Sequence, residues 1–391
     1  MKIAQIAPLH ESVPPQTYGG TERVVHYLTE ALVQQGHEVT LFASGDSRTS
    51  ADLRPVVPEA LRLAATPRDP LAWHTLAMAQ VAKEAKSFDI LHFHTDFLQF
   101  PLCREWSHPH LTTLHGRLDL PDLQPVFAEF GDMPVVSIAD HQRAPLPMAR
   151  WIGTVHNGIP ADLYDFQPQP GNYLVFLGRM SPEKGAETAI QIALQAGMPL
   201  KMAAKVDKVD QDYFQTRIRP YLGHPLIEFI GEVDEQGKNA LLGGAYALLF
   251  PIAWPEPFGL VMIEALACGT PVIAYRLGSV PEVMTDGISG YVVEDLPAAV
   301  AAVERIGEID RAGCRAYFDQ HFSAQRMAAG YVDLYRKLQL QPTLSVGDTV
   351  ARPTLARPAL GSPAVTPAAG WPAPLPCGGI SLREPEKPPI C

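Results

Sequence analysis

Two stretches of this 391-residue chain hold residues whose types and spacing could do chemistry. The first, Gly178-Arg179-Met180-Ser181-Pro182-Glu183-Lys184-Gly185, follows an apolar run and reads as a helix start that Ser181 caps and Pro182 opens. It sets two cations around the end of a helix where the macrodipole is already positive, which is unfavourable unless an anion compensates. Loop N–H groups, a guanidinium that can fork two oxygens and an ammonium acting as a mobile point charge suit a diphosphate. A blander arrangement pairs Lys184 with Glu183 or Glu187 at the surface.

The second stretch runs from Trp254 to Pro271, WPEPFGLVMIEALACGTP, with carboxylates on both sides of a helix start. Glu256 falls in the loop before the helix, Gly259 lets backbone N–H groups approach a ligand closely, and Glu264 lies one turn in from Leu260. Carboxylates accept pairs of hydroxyl hydrogens, which sugars and riboses present. The competing arrangement has Glu256 complementing the helix dipole and Glu264 solvated.

Positioning these residues requires elements on both sides of them, and short apolar runs do alternate with helical patterns along the chain. Ile3 to Pro8, a helix over Glu22 to Gln35 with Val24, Val25, Leu28, Ala31 and Leu32 on one face, and Glu38 to Ala43 read as β, α, β, with Gly36 as a left-handed cap. Asp89 to Phe93 and Leu111 to Leu114 add buried strands, the second ending at His115. The pattern restarts after His156-Asn157-Gly158-Ile159-Pro160. Strands follow at Tyr173 to Leu177, Leu200 to Ala204, Ile227 to Ile230, Ala247 to Pro251, Val272 to Tyr275 and Gly290 to Val293. The expected fold is α/β, with Rossmann-like parallel-sheet domains over 1–165 and 166–320 and a cleft at the carboxyl ends of their strands. A helix over 321–340 is expected to pack back on the first domain. Residues 341–391, which hold eleven of the 38 prolines, read as a disordered Pro- and Ala-rich tail.

Several alternatives fail on residue type. The loop after the first strand, Pro14 to Thr21, lacks the G-x-G-x-x-G dinucleotide fingerprint, and Gly231 to Asn239 is one residue too long for a Walker A loop and ends in Asn. Asp210-Gln211-Asp212 spells a metal-binding D-x-D, yet it sits in a charged, helical stretch away from any strand end. His92-Phe93-His94, with Asp96 nearby, could present two imidazoles to a metal, but packing and hydrogen bonding on the cleft floor is the stronger reading. Net charge is −11, of which −7 falls on residues 1–165 and −5 on 166–340, so no cationic face is offered to nucleic acid. No apolar run approaches the roughly 18–20 residues of a membrane span. The N-terminus reads as a strand rather than a signal peptide, and five scattered cysteines fit a reducing cytoplasm.

In their order and strand-loop-helix context, these segments resemble the retaining glycosyltransferases of family 4, which have the GT-B fold, over about residues 1–340. The resemblance rests on the glutamate, seven residues, glutamate pattern of Glu256 and Glu264, on GRMSPEKG as a phosphate loop, and on the opening APLHESVPPQTYGGTERVV. It implies metal-independent transfer from a nucleoside-diphosphate sugar of UDP or GDP type to an acceptor hydroxyl, with no cofactor. By the same resemblance Arg179 and Lys184 hold the diphosphate, Glu256 holds hydroxyls of the sugar, and backbone groups of Phe258, Gly259 and Leu260 meet sugar and phosphate oxygens. Glu264 holds the ribose, Gly19 and Gly20 close onto the phosphate and acceptor, and His115 contacts the sugar near the reacting carbon. The loop around Val233 reads the base. Lys205, after the strand Leu200 to Ala204, also ends at the cleft and could approach the donor. A sugar-nucleotide epimerase, a phosphorylase of the same fold, or a non-catalytic nucleotide-sugar-binding protein remain the rival readings.

Overall fold

The computed structural model describes residues 1–16 and 19–340; the Pro-rich tail lies outside the described residues. Seven strands build the first sheet: β1 (Lys2–Ile6), β2 (Glu38–Ser44), β3 (Asp52–Val57), β4 (Ile90–Phe93), β5 (His110–Leu114), β6 (Pro134–Ser137) and β7 (Arg150–Thr154). They lie in the order β3-β2-β1-β4-β5-β6-β7, every neighbouring pair parallel. Six more build the second: β8 (Leu174–Arg179), β9 (Leu200–Lys205), β10 (Ile227–Gly231), β11 (Ala247–Phe250), β12 (Val272–Tyr275) and β13 (Gly290–Val293). Their order is β10-β9-β8-β11-β12-β13, again all parallel. Central strands such as β1 and β11 are buried at nearly every position because helices cover both faces of a parallel sheet.

Strand order reverses between β1 and β4 in the first sheet and between β8 and β11 in the second. In open α/β sheets ligands bind at such switch points, outside the carboxyl ends of the strands. The loops leaving β8 and β11 are the two chemically marked stretches, and the loop leaving β1 leads to Gly19 and Gly20.

The last described helix, Ala324–Leu340, returns to the first sheet. Tyr331 and Tyr335 are fully buried there, and Leu334 lies where a Cβ on Gly153 would sit, 2.9 Å from its Cδ2. One expected detail is corrected. Pro182–Lys184 is a short 3-10 turn without a side-chain cap from Ser181, and the α-helix begins only at Ala186. The cause is Gly185 at φ 74°, a left-handed conformation that ends the turn and restarts the chain as a helix.

Candidate active site

The loops leaving β8 and β11 are stitched together. The amide of Ala253 donates to the Glu183 carbonyl at 2.9 Å, and Gly185 passes so close to Pro251 that a Cβ there would lie 1.9 Å from its carbonyl oxygen. Across this seam the Lys184 ammonium bonds the Glu256 carboxylate and lies 5.1 Å from the centre of the Trp254 ring. Trp254 Nε1 also donates to Glu256, at 2.9 Å. Arg179, at the end of β8, bonds the Glu183 carboxylate and stands 3.6 Å from Asp210 Oδ2. Burial alone would raise the Glu183 carboxyl, but a backbone amide and the Arg179 charge outweigh it and hold the group below its ordinary range. Gly259, at φ 78°, starts the helix Leu260–Ala267 and, having no side chain, gives that helix no side-chain cap. Two cations and an uncapped helix start thus face one region, a disposition suited to an oligo-anion.

Glu264 belongs to a second charged group. It is buried and accepts from Lys238 at 2.7 Å, and Lys238 also pairs with Glu235 at 3.0 Å. Glu235 in turn is held by Tyr164 and by Arg23, the latter from the helix Gly20–Gln34 that follows Gly19. Lys238, Tyr164 and Arg23 together keep Glu235 below the ordinary carboxylate range despite burial. The first domain therefore touches the second at Glu235, which shares Lys238 with Glu264. A further contact brings Arg117, two residues beyond His115, to 5.8 Å from the centre of the Trp254 ring.

His115 leaves the end of β5 and rests on a buried polar chain. Its Nε2 lies 2.8 Å from His94 Nδ1, and His94 Nε2 lies 2.7 Å from Gln5 Oε1. Gln5 Nε2 faces the Tyr335 hydroxyl at 3.2 Å and His92 Nδ1 at 3.4 Å. His92 meets Tyr335 at 2.7 Å through Nδ1 and Thr113 at 2.7 Å through Nε2. Burial pushes His92 and His94 well below the usual imidazole range and His115 down to about 4.

Residues 18–153 match the family model described as Glycosyltransferase Family 4, and residues 166–310 match the one described as Glycosyl transferases group 1. The chain belongs to glycosyltransferase family 4. This family 4 glycosyltransferase is 28% identical to "Glycogen synthase" of Mycobacterium tuberculosis over 369 residues, covering 81% of this chain and 86% of the relative. It is also 28% identical over 340 residues to "Phosphatidyl-myo-inositol mannosyltransferase" of Mycolicibacterium smegmatis, covering 80% and 86%. Among solved structures, HepE of Anabaena in complex with UDP and glucose shares its fold at a TM-score of 0.67 and 18% identity, covering 86% of this chain and 100% of that one.

In this glycosyltransferase the residues singled out in the sequence fall into separate groups. Arg179, Lys184 and Glu256 lie along the seam between two loops, Glu264 lies in the Arg23 group, and His115 heads the buried chain. Phe258 is buried and its carbonyl accepts from Ser279 Oγ at 2.8 Å, so that oxygen is already engaged; Gly259 and Leu260 begin the adjacent helix. Lys205 ends β9 beside Asp207 at 3.0 Å, and its carbonyl accepts from the Met180 amide at 2.8 Å. Val233 sits between β10 and the helix Glu235–Gly243, partly buried against the core. Gly19 and Gly20 start the helix that carries Arg23, and a Cβ on Gly19 would lie 2.8 Å from Pro15 Cβ. Lys184 pairs with Glu256 rather than with Glu183 or Glu187, and Glu264 is buried rather than solvated. Asp210, expected to lie away from any strand end, is brought by the turn after β9 beside Arg179 at the end of β8. His92 and His94 are committed to hydrogen bonds, and the described residues contain no group of three or more side chains suited to a metal. Arg23, Lys238 and Trp254 carried no local signal of their own as partners of the site.

Proposed function

We propose that this glycosyltransferase moves a hexose from a nucleoside-diphosphate sugar of UDP or GDP type to an acceptor hydroxyl, with retention at the anomeric carbon and without a metal ion. The observation that carries the reading is the seam of Arg179, Lys184 and Glu256 at the helix starts after β8 and β11. Glu183 and Glu256 occupy the two cations in the free protein, and a diphosphate is a stronger partner for both because it offers more charge and more oxygens. As the glycosidic bond breaks, negative charge grows on the leaving phosphate, so Arg179 and Lys184 act more strongly on the transition state than on the bound donor. They supply the neutralisation that a metal ion provides elsewhere. Glu256, released from Lys184, is then available to hydroxyls of the sugar. The leaving phosphate oxygen removes the acceptor proton.

The Anabaena neighbour, solved in complex with UDP and glucose, supports the donor class. The two mycobacterial relatives are named for different products and leave the acceptor open. The free, buried Cys103, Cys268 and Cys314 fit a cytoplasmic setting. Among the described residues no helix is long and apolar enough to cross a membrane.

The test is turnover of UDP- and GDP-hexoses over a panel of sugar and polyol acceptors in EDTA, with the product's anomeric proton read by NMR. An α-linked product from an α-donor is expected. A β-linked product contradicts retention, and activity that EDTA abolishes and magnesium restores contradicts metal independence. Binding of a donor without turnover of any supports the rival binding protein.

A further inference from the structure

The hydrogen-bond chain beneath His115 determines its protonation pattern as well as its place. A neutral imidazole carries one N–H and one lone pair, so each contact in the chain constrains the next. Thr113 Oγ1 donates to Tyr331 at 3.0 Å and therefore accepts from His92 Nε2, which leaves the His92 Nδ1 lone pair to accept from the Tyr335 hydroxyl. The Gln5 amide nitrogen faces that same Nδ1 and the Tyr335 oxygen; reversing the amide would set a carbonyl oxygen against a lone pair. Gln5 Oε1 thus points at His94 Nε2 and can only accept, so His94 donates from Nε2 and its Nδ1 is an acceptor. The contact between His94 Nδ1 and His115 Nε2 then has one solution, with His115 as the donor. Neutral His115 keeps its proton on Nε2 and its lone pair on Nδ1, to which nothing donates among the described residues.

We propose that His94 and Gln5 are positioning residues that lock His115 as the Nε2–H tautomer, so that its Nδ1 is offered as an acceptor to a hydroxyl of the bound sugar. The last clause rests on the donor site proposed above, whereas the tautomer itself does not. His94 and Gln5 reach the sugar only through His115, by the logic in which a neighbour's hydrogen bond selects which imidazole nitrogen is free to act. The chain also links this choice to the last described helix, through Tyr331 and Tyr335.

Two-bond proton–nitrogen correlation spectra of the full chain labelled with nitrogen-15 histidine distinguish protonated from bare ring nitrogens, and His115→Gln assigns the signal. The wild type is expected to show a pure Nε2–H pattern at His115 near neutral pH. His94→Leu, which removes the acceptor, is expected to give a mixture of tautomers, and His94→Gln, whose amide oxygen can accept, to restore the pure pattern. A mixture or an Nδ1–H pattern in the wild type overturns the proposal even if His94→Leu does not fold, as does a pure pattern that persists in His94→Leu. With the donor found in the turnover screen, kcat is expected to fall about tenfold or more in His94→Leu and to recover in His94→Gln, with little change in donor KM. Equal kcat in wild type and both variants overturns the link to the sugar. If the screen yields no donor, the site reading fails while the spectra still decide the tautomer.

Discussion

Lys184 and Glu256 meet across two loops 72 residues apart, and their pairing gives the site its sharpest expectation at the scale of single residues. Arg179→Ala and Lys184→Ala are each expected to lower kcat by about a hundredfold or more, as loss of a group that stabilises developing charge does. Donor KM should change less, and steady-state kinetics of the purified variants separates the two; unchanged turnover in both would remove the mechanism. A second expectation concerns pH. His115 titrates near 4 when folded and near 6.5 when unfolded, so between those values the unfolded chain binds the extra proton and stability falls as pH falls. The loss is on the order of 3 kcal/mol for this ring, accumulating below pH 6.5 and complete below about 4. Denaturant melts at pH 7 and pH 4.5 check it, with His115→Gln expected to show a shallower decline. Arg179, Lys184, Glu256 and Glu264 could be picked out in the sequence because each is a local anomaly, a cation at a helix start or a carboxylate beside an apolar run. Arg23 and Lys238 are ordinary in their own surroundings, and Asp210 stands out there only as part of a D-x-D. They acquire meaning only when the strands bring distant segments together.

At the scale of elements, the loop leaving β8 depends on backbone that no side chain could replace. Gly185 combines φ 74° with a Cα packed on the Pro251 carbonyl, so Gly185→Ala must move one loop or the other. The expected cost is about 2–4 kcal/mol from left-handed strain and overpacking together, read as a lower melting temperature, with diphosphate affinity falling as well. A melting temperature equal to wild type would show that the seam is not rigid. The same glycine explains why a helix beginning at Pro182 could not be distinguished in the sequence from a 3-10 turn followed by a helix at Ala186. The strands β1, β2, β4, β5 and β8 to β13 were legible as short apolar-rich runs alternating with helical patterns. β3, β6 and β7 were not: β3 and β7 are the edges of the first sheet, and β6 is a four-residue run that opens on Pro134. β3 carries exposed Pro55 within DLRPVV, and β7 is partly exposed along its whole length.

For the whole molecule, the tandem α/β arrangement could be read from the restart of the strand pattern after His156, but the contacts between the two domains could not. Arg23 with Glu235, Arg117 over Trp254, and Glu282 accepting from the amides of Asp140 and His141 at 2.6 and 2.7 Å join surfaces far apart in sequence. Arg23 touches the group that contains Glu264, so Arg23→Ala is expected to raise donor KM about five- to tenfold, roughly 1 kcal/mol, while kcat changes less. An unchanged KM would separate domain contact from donor binding. The most direct measurement is titration calorimetry of UDP and of GDP into the full chain in EDTA, repeated on Lys184→Ala and Arg179→Ala. One of the two diphosphates should bind the wild type at one site per chain without a metal, and each substitution should weaken it at least tenfold. Binding that appears only with magnesium, or that both substitutions leave intact, would contradict a diphosphate site built on Arg179 and Lys184.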